Sequence, residues 1–181
     1  LCLALAIAAL PPVLLYPSAK RWFGYPQAVL ALCWGFAVLI PWAAASGSLA
    51  GGWALAAVWL ATLLWTFGFD TVYAMADRPD DARIGVRSSA LSLGAAAPTA
   101  VGICYGATAF LLAMAAALRG VGLGFWPLWA AASVGLLREA ALLRRSDLPR
   151  SAYGLHFRHQ VQLGALLLLA LVIGRSGVSI G

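Results

Sequence analysis

Residues 22–69 read WFGYPQAVLALCWGFAVLIPWAAASGSLAGGWALAAVWLATLLWTFGF and contain no Asp, Glu, Lys or Arg. A membrane-spanning helix takes about 20 mostly apolar residues, so this run of 48 residues has room for two. Working outward, residues 1–19, 88–118, 120–137 and 159–174 are also free of charged side chains. Six spans follow, at roughly 1–16, 26–45, 50–69, 96–118, 121–138 and 160–179. Over all 181 residues, 63% are hydrophobic and 10% charged. A soluble domain carries about a quarter charged residues, so a water-soluble globule is excluded. The fold class is all-α, a polytopic transmembrane helical bundle forming one domain over 1–181.

Turn residues separate the spans. Pro17 is expected to end the first, because the residue before a proline avoids the helical region. Ser46, Gly47 and Ser48 with Gly51 and Gly52 break the second from the third, and Arg119-Gly120 opens the fourth connection. Pro11, Pro12 and Pro41 are interior prolines of the kind membrane helices tolerate. Trp22, Trp42, Trp53 and Trp126 near span ends fit an interfacial aromatic belt. Cys2, Cys33 and Cys104 all fall in spans and read as small packing residues, not a disulfide or metal framework.

Charge sorts the connections into two sets. Those after the first, third and fifth spans hold Lys20, Arg21, Arg78, Arg83, Arg87, Arg138, Arg144, Arg145, Arg150 and Arg158; the other side has only Arg119 and Arg175. The positive-inside rule assigns the first set to the cytoplasmic face. The net charge of +6 is thus topology plus room for an anionic substrate, and nothing points to nucleic acid. Residue 1 is then on the outer face. It is Leu, with no cationic leader and no small-residue cleavage pattern behind it. The expectation is a chain that begins inside a longer protein.

Four of the six acids lie within twelve residues: Asp70, Asp77, Asp80 and Asp81. On a helix, positions 70, 73, 77 and 81 share one face, placing three carboxylates with the Tyr73 phenol. Pro79 is expected to break or restart that helix. Like charges this close need a cation or must stay partly protonated. One reading is a solvated loop whose acids pair with Arg78, Arg83 and Arg87. The other is a magnesium site, since Mg2+ takes one or two carboxylates plus water and phosphate oxygens. Arginines would hold the remaining phosphate oxygens by charge-assisted hydrogen bonds. Such a cluster at a membrane surface suits a lipid diphosphate. Tyr16-Pro-Ser-Ala-Lys20-Arg21 lies on the same side, and Lys20 is the one lysine in the sequence.

Asp70-Thr-Val-Tyr73-Ala-Met-Ala-Asp77-Arg-Pro-Asp80-Asp81-Ala-Arg83-Ile-Gly85-Val-Arg87-Ser88-Ser89-Ala90 resembles the second aspartate-rich motif of the UbiA superfamily of intramembrane prenyltransferases. The resemblance is nearest to the 4-hydroxybenzoate polyprenyltransferases. Tyr16-x-x-x-Lys20, followed by Tyr25-Pro26-Gln27, is similar to that family's other cytoplasmic signature. The resemblance covers residues 1 to about 170 and implies the last six helices of a nine-helix fold around a cavity open to lipid. It implies Mg2+-dependent transfer of a polyprenyl group from polyprenyl diphosphate to the ring of 4-hydroxybenzoate, in ubiquinone or plastoquinone synthesis. It also implies residence in a bacterial inner membrane with the active face cytoplasmic, and membrane lipid as a partner.

By position, Asp77 and Asp81 resemble the motif's metal pair, with Asp70 beside them as a further metal candidate. Lys20 and Arg21 resemble diphosphate-holding cations, and Tyr16 borders the same site. Arg83 and Arg87 join the diphosphate set from the charge pattern alone. Pro79 departs from the family pattern. The family's first motif, of N-D-x-x-D type, is absent from 1–181 and is expected upstream, so the chain alone is expected to be inactive. Two alternatives stay open: another acceptor (homogentisate, a naphthoate, chlorophyllide or haem), or an inactive truncated remnant. In the last polar segment, His156 and His159 are expected at the interface, not on a metal. Glu139 and Asp147 are expected to pair with Arg144, Arg145 or Arg150.

Overall fold

The structure is a computed structural model and describes residues 1–145 and 148–176. Among those residues there is no strand. The helices are α1 (Cys2–Trp22), α2 (Pro26–Ser46), α3 (Gly52–Ile84), α4 (Ser89–Leu93), α5 (Ala97–Leu118), α6 (Phe125–Leu142) and α7 (Arg150–Ser176), with a 3-10 turn at Gly94–Ala96 between α4 and α5. Five stretches are long and apolar enough to cross a membrane: Cys2–Trp22, Pro26–Ser46, Gly52–Ile84, Ser89–Leu118 and Arg150–Arg175. The difference from six is α6. Its 18 residues include Trp126, Pro127, Trp129, Arg138 and Glu139, which dilute its apolar content.

Successive long helices run in opposite directions, as two bonds at one end of the bundle show. The Cys2 thiol points to the Ile40 carbonyl, joining the start of α1 to the end of α2. The Gly122 N–H donates to Gly174 O, joining the approach to α6 to the end of α7. At the other end, the Arg87 N–H donates to Lys20 O. The ends of α1 and α3, the short α4, the end of α6 and the start of α7 therefore share one face of the bundle, where ten of the twelve cations lie.

Both prolines expected to interrupt helices lie inside them. Pro17 does not end α1, which runs on to Trp22. A proline removes one N–H donor and crowds the preceding turn. Here side chains support the turn that follows, because Ser18 Oγ donates to Leu15 O at 2.9 Å and Trp22 Nε1 donates to Ser18 Oγ at 3.2 Å. Ala19 is fully buried and anchors the same turn. Nor does Pro79 break α3. Its ring is exposed, and the helix continues to Ile84. Gly85 then closes it with φ 73°, and the N–H groups of Gly85 and Val86 both reach Asp81 O. That is the left-handed glycine stop expected at a helix end.

The core at this end joins α3, α5 and α6 through Val72, Met75, Val101, Tyr105 and Leu136. Small residues let membrane helices approach closely. Gly68 is the sharpest case: a Cβ there would lie 3.0 Å from Tyr105 Cε1 and 3.2 Å from Cys104 Cβ. Close packing at Gly68 fixes the height of α3 two residues before its first acid.

Candidate functional site

Because α3 is unbroken, Asp70, Tyr73, Asp77 and Asp81 do share one helical face. Their surroundings differ along it. Asp70 is half-buried, and both Lys20 and Tyr16 from α1 lie within its electrostatic reach. Tyr73 is exposed and sits edge-on to Phe157 of α7, with ring centroids 6.3 Å apart. Asp77 is half-exposed. Asp81 is only 6% exposed, and its Oδ2 has no hydrogen-bond partner among the described residues.

The arginines divide into two groups. Arg83 donates to Asp80 Oδ1 at 3.3 Å across one turn, so of the three arginines flanking the acids it is the one that pairs with an acid. Arg87 donates instead to the Trp22 carbonyl at 3.1 Å, which brings its guanidinium to the end of α1, next to Lys20 and Arg21. Arg21 itself is exposed there. Arg78 is structural: Nε donates to Ala90 O at 3.1 Å and Nη2 to Gly94 O at 2.6 Å, tying α3 to the short turn before α5.

Sequence reading missed Arg150 as a member of this site. One nitrogen, Nη2, donates to Asp77 Oδ1 at 3.1 Å and to Asp80 Oδ2 at 3.3 Å. Those partners are 73 and 70 residues away. The one available signal was that Arg150 belongs to the same charged face.

Gln27, quoted above only as part of a signature, is buried and accepts the Ser89 N–H at 2.8 Å. Ser89 Oγ is 2.8 Å from Thr71 Oγ1. This polar joint holds the start of α4 against α2 and α3, and so holds the loop that carries Arg87.

The last polar segment is a correction. Glu139 pairs with histidines, not with Arg144, Arg145 or Arg150: its Oε2 lies 3.2 Å from His156 Nδ1 and its Oε1 lies 2.9 Å from His159 Nδ1. His156 is 3% exposed, with Nε2 at 2.8 Å from the Tyr105 hydroxyl. A buried imidazole needs partners at both nitrogens, and Glu139 and Tyr105 provide them. Asp147 lies outside the described residues. Among the described residues, no group of three or more His, Cys, Asp or Glu converges to hold a metal ion.

Beneath the acid face an apolar cleft of about 520 Å3 runs between α2, α3 and α7, lined by Leu30, Trp34, Thr66, Phe69 and Val161 among others. Trp65 and Gln160 line it too, joined by a 2.7 Å bond from Trp65 Nε1 to Gln160 Oε1. Trp65 also borders a second apolar cavity, of about 320 Å3, that reaches Trp42 and Arg119 at the opposite end of the bundle. Trp65 thus borders both cavities, and Phe69, the residue before Asp70, lines the first.

The UbiA prenyltransferase family model matches residues 1–174. The chain belongs to that family. Among relatives of this UbiA chain, a 4-hydroxybenzoate solanesyltransferase from Synechocystis sp. is 44% identical over 174 residues, covering 94% of this chain and 58% of the relative. A 4-hydroxybenzoate octaprenyltransferase from Burkholderia vietnamiensis is 40% identical, covering 84% of this chain and 51% of the relative. One from Thiobacillus denitrificans is 37% identical, covering 96% and 58%. The UbiA chain therefore spans between half and three-fifths of these relatives' length. A solved structure of a study on digeranylgeranylglyceryl phosphate synthase in membranes superposes with a TM-score of 0.77 at 19% identity, covering 96% of this chain and 61% of that one. That likeness shares the fold of an integral membrane protein.

Proposed function

We propose that the protein of which this chain is part transfers a polyprenyl group from polyprenyl diphosphate to the ring of 4-hydroxybenzoate, in quinone synthesis, at the cytoplasmic face of the bacterial inner membrane. The observation that carries this reading is the buried, unpartnered Oδ2 of Asp81, one turn from Asp77 on the same face. An anionic oxygen buried without a partner is costly, and a cation that arrives with substrate removes that cost. Two carboxylates suit Mg2+, which completes its shell with water and phosphate oxygens. Such an ion, when bound, neutralises charge growing on a departing diphosphate.

The chain's own residues divide the work. Asp77 and Asp81 would hold the metal; Asp70, seven residues earlier on α3 and within reach of Lys20, does not converge with them. Lys20 and Arg21 hold diphosphate oxygens from the end of α1, and Arg83 and Arg87 add charge from the end of α3. Tyr16 borders the site. Fixed cations of this kind stabilise the leaving group as the carbon–oxygen bond breaks. The apolar cleft below takes the polyprenyl tail, and its aromatic walls keep water from the allylic cation until the ring carbon ortho to the phenol attacks; that carbon then gives up its proton to the released diphosphate. Lipid is the medium from which the donor enters.

Complementation of a strain lacking its hydroxybenzoate prenyltransferase by the full-length gene tests the acceptor. Growth rescue, with prenylated hydroxybenzoate in extracts, is expected. Expression without rescue, together with prenylation of homogentisate or a naphthoate in membranes, would replace the acceptor in this reading.

A further inference from the structure

We propose that a groove between α5 and α6, at the cation-bearing end of the bundle, binds an anionic phospholipid of the adjoining leaflet. The lipid phosphate lies on Arg144, and an acyl chain lies over the apolar residues below it. The groove is separate from the acid face and does not depend on how that face is read.

Two helical stripes form the groove. Val101, Cys104 and Tyr105 of α5 are buried, and Thr108 Oγ1 donates to Ala61 O of α3 at 3.3 Å. Thr99, Gly102 and Ile103 lie on another side of α5, where they line a cavity of about 320 Å3 with Leu137 and Arg144. Small residues leave the room: a Cβ on Gly102 would lie 3.7 Å from Ala140 Cβ, and one on Gly106 3.7 Å from Leu137 Cδ2. On α6, Val134, Leu137 and Ala141 share one face. One further turn, closed by the Arg144 N–H on Ala141 O, carries that stripe on to Arg144. Ile103, Leu137 and Val134 are all exposed. The groove is therefore cationic at the end of the bundle and apolar towards its middle, and it shares no lining residue with the cleft of α2, α3 and α7.

A cation after a helix C-terminus complements the macrodipole. That explains the sign of Arg144, not the cavity beside it. Among the described residues no carboxylate pairs with Arg144: Asp77 and Asp80 are taken by Arg150 and Arg83, and Glu139 gives both oxygens to histidines. The exposed Arg138 and Arg145 add to the same charge. Basic pockets between membrane helices on the cytoplasmic side are the kind of site that holds anionic headgroups, and a guanidinium fork matches phosphate oxygens. The exposed Thr99 hydroxyl can donate a further bond. A free phosphate would satisfy Arg144 and leave the apolar stripe uncovered. A phospholipid satisfies both halves.

Native mass spectrometry of the full-length protein in detergent, titrated with phosphatidylglycerol or phosphatidylcholine, tests this. Wild type is expected to prefer phosphatidylglycerol several-fold, because the cationic head of phosphatidylcholine is repelled by Arg138 and Arg145. Arg144→Ala is expected to weaken phosphatidylglycerol binding ~10-fold, having lost a charge-assisted bond. Arg158→Ala removes an exposed arginine of α7 that does not line the groove, and binding should stay within ~2-fold of wild type, since distant exposed charges are screened. Gly102→Leu fills the cavity, and its Cβ meets Ala140 at an ordinary contact distance; both lipids should bind several-fold more weakly. Thermal melts identify folded variants, and Ala141→Leu fills the same cavity from α6 where Gly102→Leu does not fold. Equal affinity of wild type for the two lipids, or equal losses in Arg144→Ala and Arg158→Ala, overturns the headgroup site. Unchanged lipid binding in a folded cavity-filling variant overturns the groove as the seat of the chain. Inorganic phosphate that binds through Arg144 with no lipid bound there, or a dimer of the chain that Gly102→Leu dissociates, replaces the lipid and overturns the proposal.

Discussion

The backbone N–H of Arg87 donates to the carbonyl oxygen of Lys20 at 2.7 Å. Sixty-odd residues apart in sequence, the loop after the acid-bearing α3 and the end of α1 are thereby one structural unit. The Arg87 guanidinium adds a second tie, to Trp22 O. Lys20 in turn lies within electrostatic reach of Asp70. Cations from α1 and from the loop after α3 are held together by main-chain geometry, which side-chain substitution leaves in place.

Arg87→Ala keeps the backbone bond and removes one exposed guanidinium contact. The expected loss of stability is within about 1 kcal/mol. Apparent KM for the polyprenyl diphosphate should rise several-fold with kcat less affected. Steady-state prenyl transfer by the full-length protein, beside a thermal melt, checks this. A fall in kcat at unchanged KM would place Arg87 outside the diphosphate set.

Asp81→Asn separates stability from activity. Removing a buried charge whose Oδ2 has no partner is expected to leave the melting temperature unchanged or higher, since an unpaired buried charge is unfavourable. Prenyl transfer is expected to fall by about 10²-fold or more, the scale on which loss of one charge-stabilising group is felt. A lower melting temperature with activity intact would make Asp81 a structural residue.

Arg78→Ala should destabilise by about 1.5–3 kcal/mol, the scale for hydrogen bonds from charged groups. Arg78→Lys should restore less than half of that. One ammonium cannot reach both Ala90 O and Gly94 O as the fork does. Thermal unfolding of the three proteins in one detergent measures it, and full rescue by lysine would show that charge alone matters.

Glu139→Ala leaves His156 buried with Nδ1 unpaired, and a loss of about 2 kcal/mol is expected. Tyr105→Phe removes the partner of the other nitrogen and should cost about 1 kcal/mol. Because both act on one imidazole, the double variant should lose less than the sum. Strict additivity in denaturation would mean that the three side chains are energetically independent.

The site was legible in part. Asp70, Tyr73, Asp77 and Asp81 could be placed on one face because helical periodicity is local, and α3 kept that periodicity through Pro79. Two features misled. Pro17 and Pro79 are local stop signals, yet α1 runs past the first to the buried Ala19 and on to Trp22, and α3 runs past the second to the stop at Gly85. Glu139 and Arg150 had plausible cationic and acidic neighbours nearby in sequence, but their partners lie on other helices.

By itself, the sequence determined that this chain lives in a membrane, which face carries the cations, and which family motif the acids belong to. Hydropathy, charge asymmetry and motif spacing are properties of the chain as a line, so they survive without knowledge of the fold. Only the tertiary structure decided that Asp77 is held by Arg150, that Asp81 is buried with an open oxygen, and that Glu139 serves two histidines. Pairing of charges depends on which helix faces which and at what height. Close packing at positions such as Gly68 against Tyr105 sets that height.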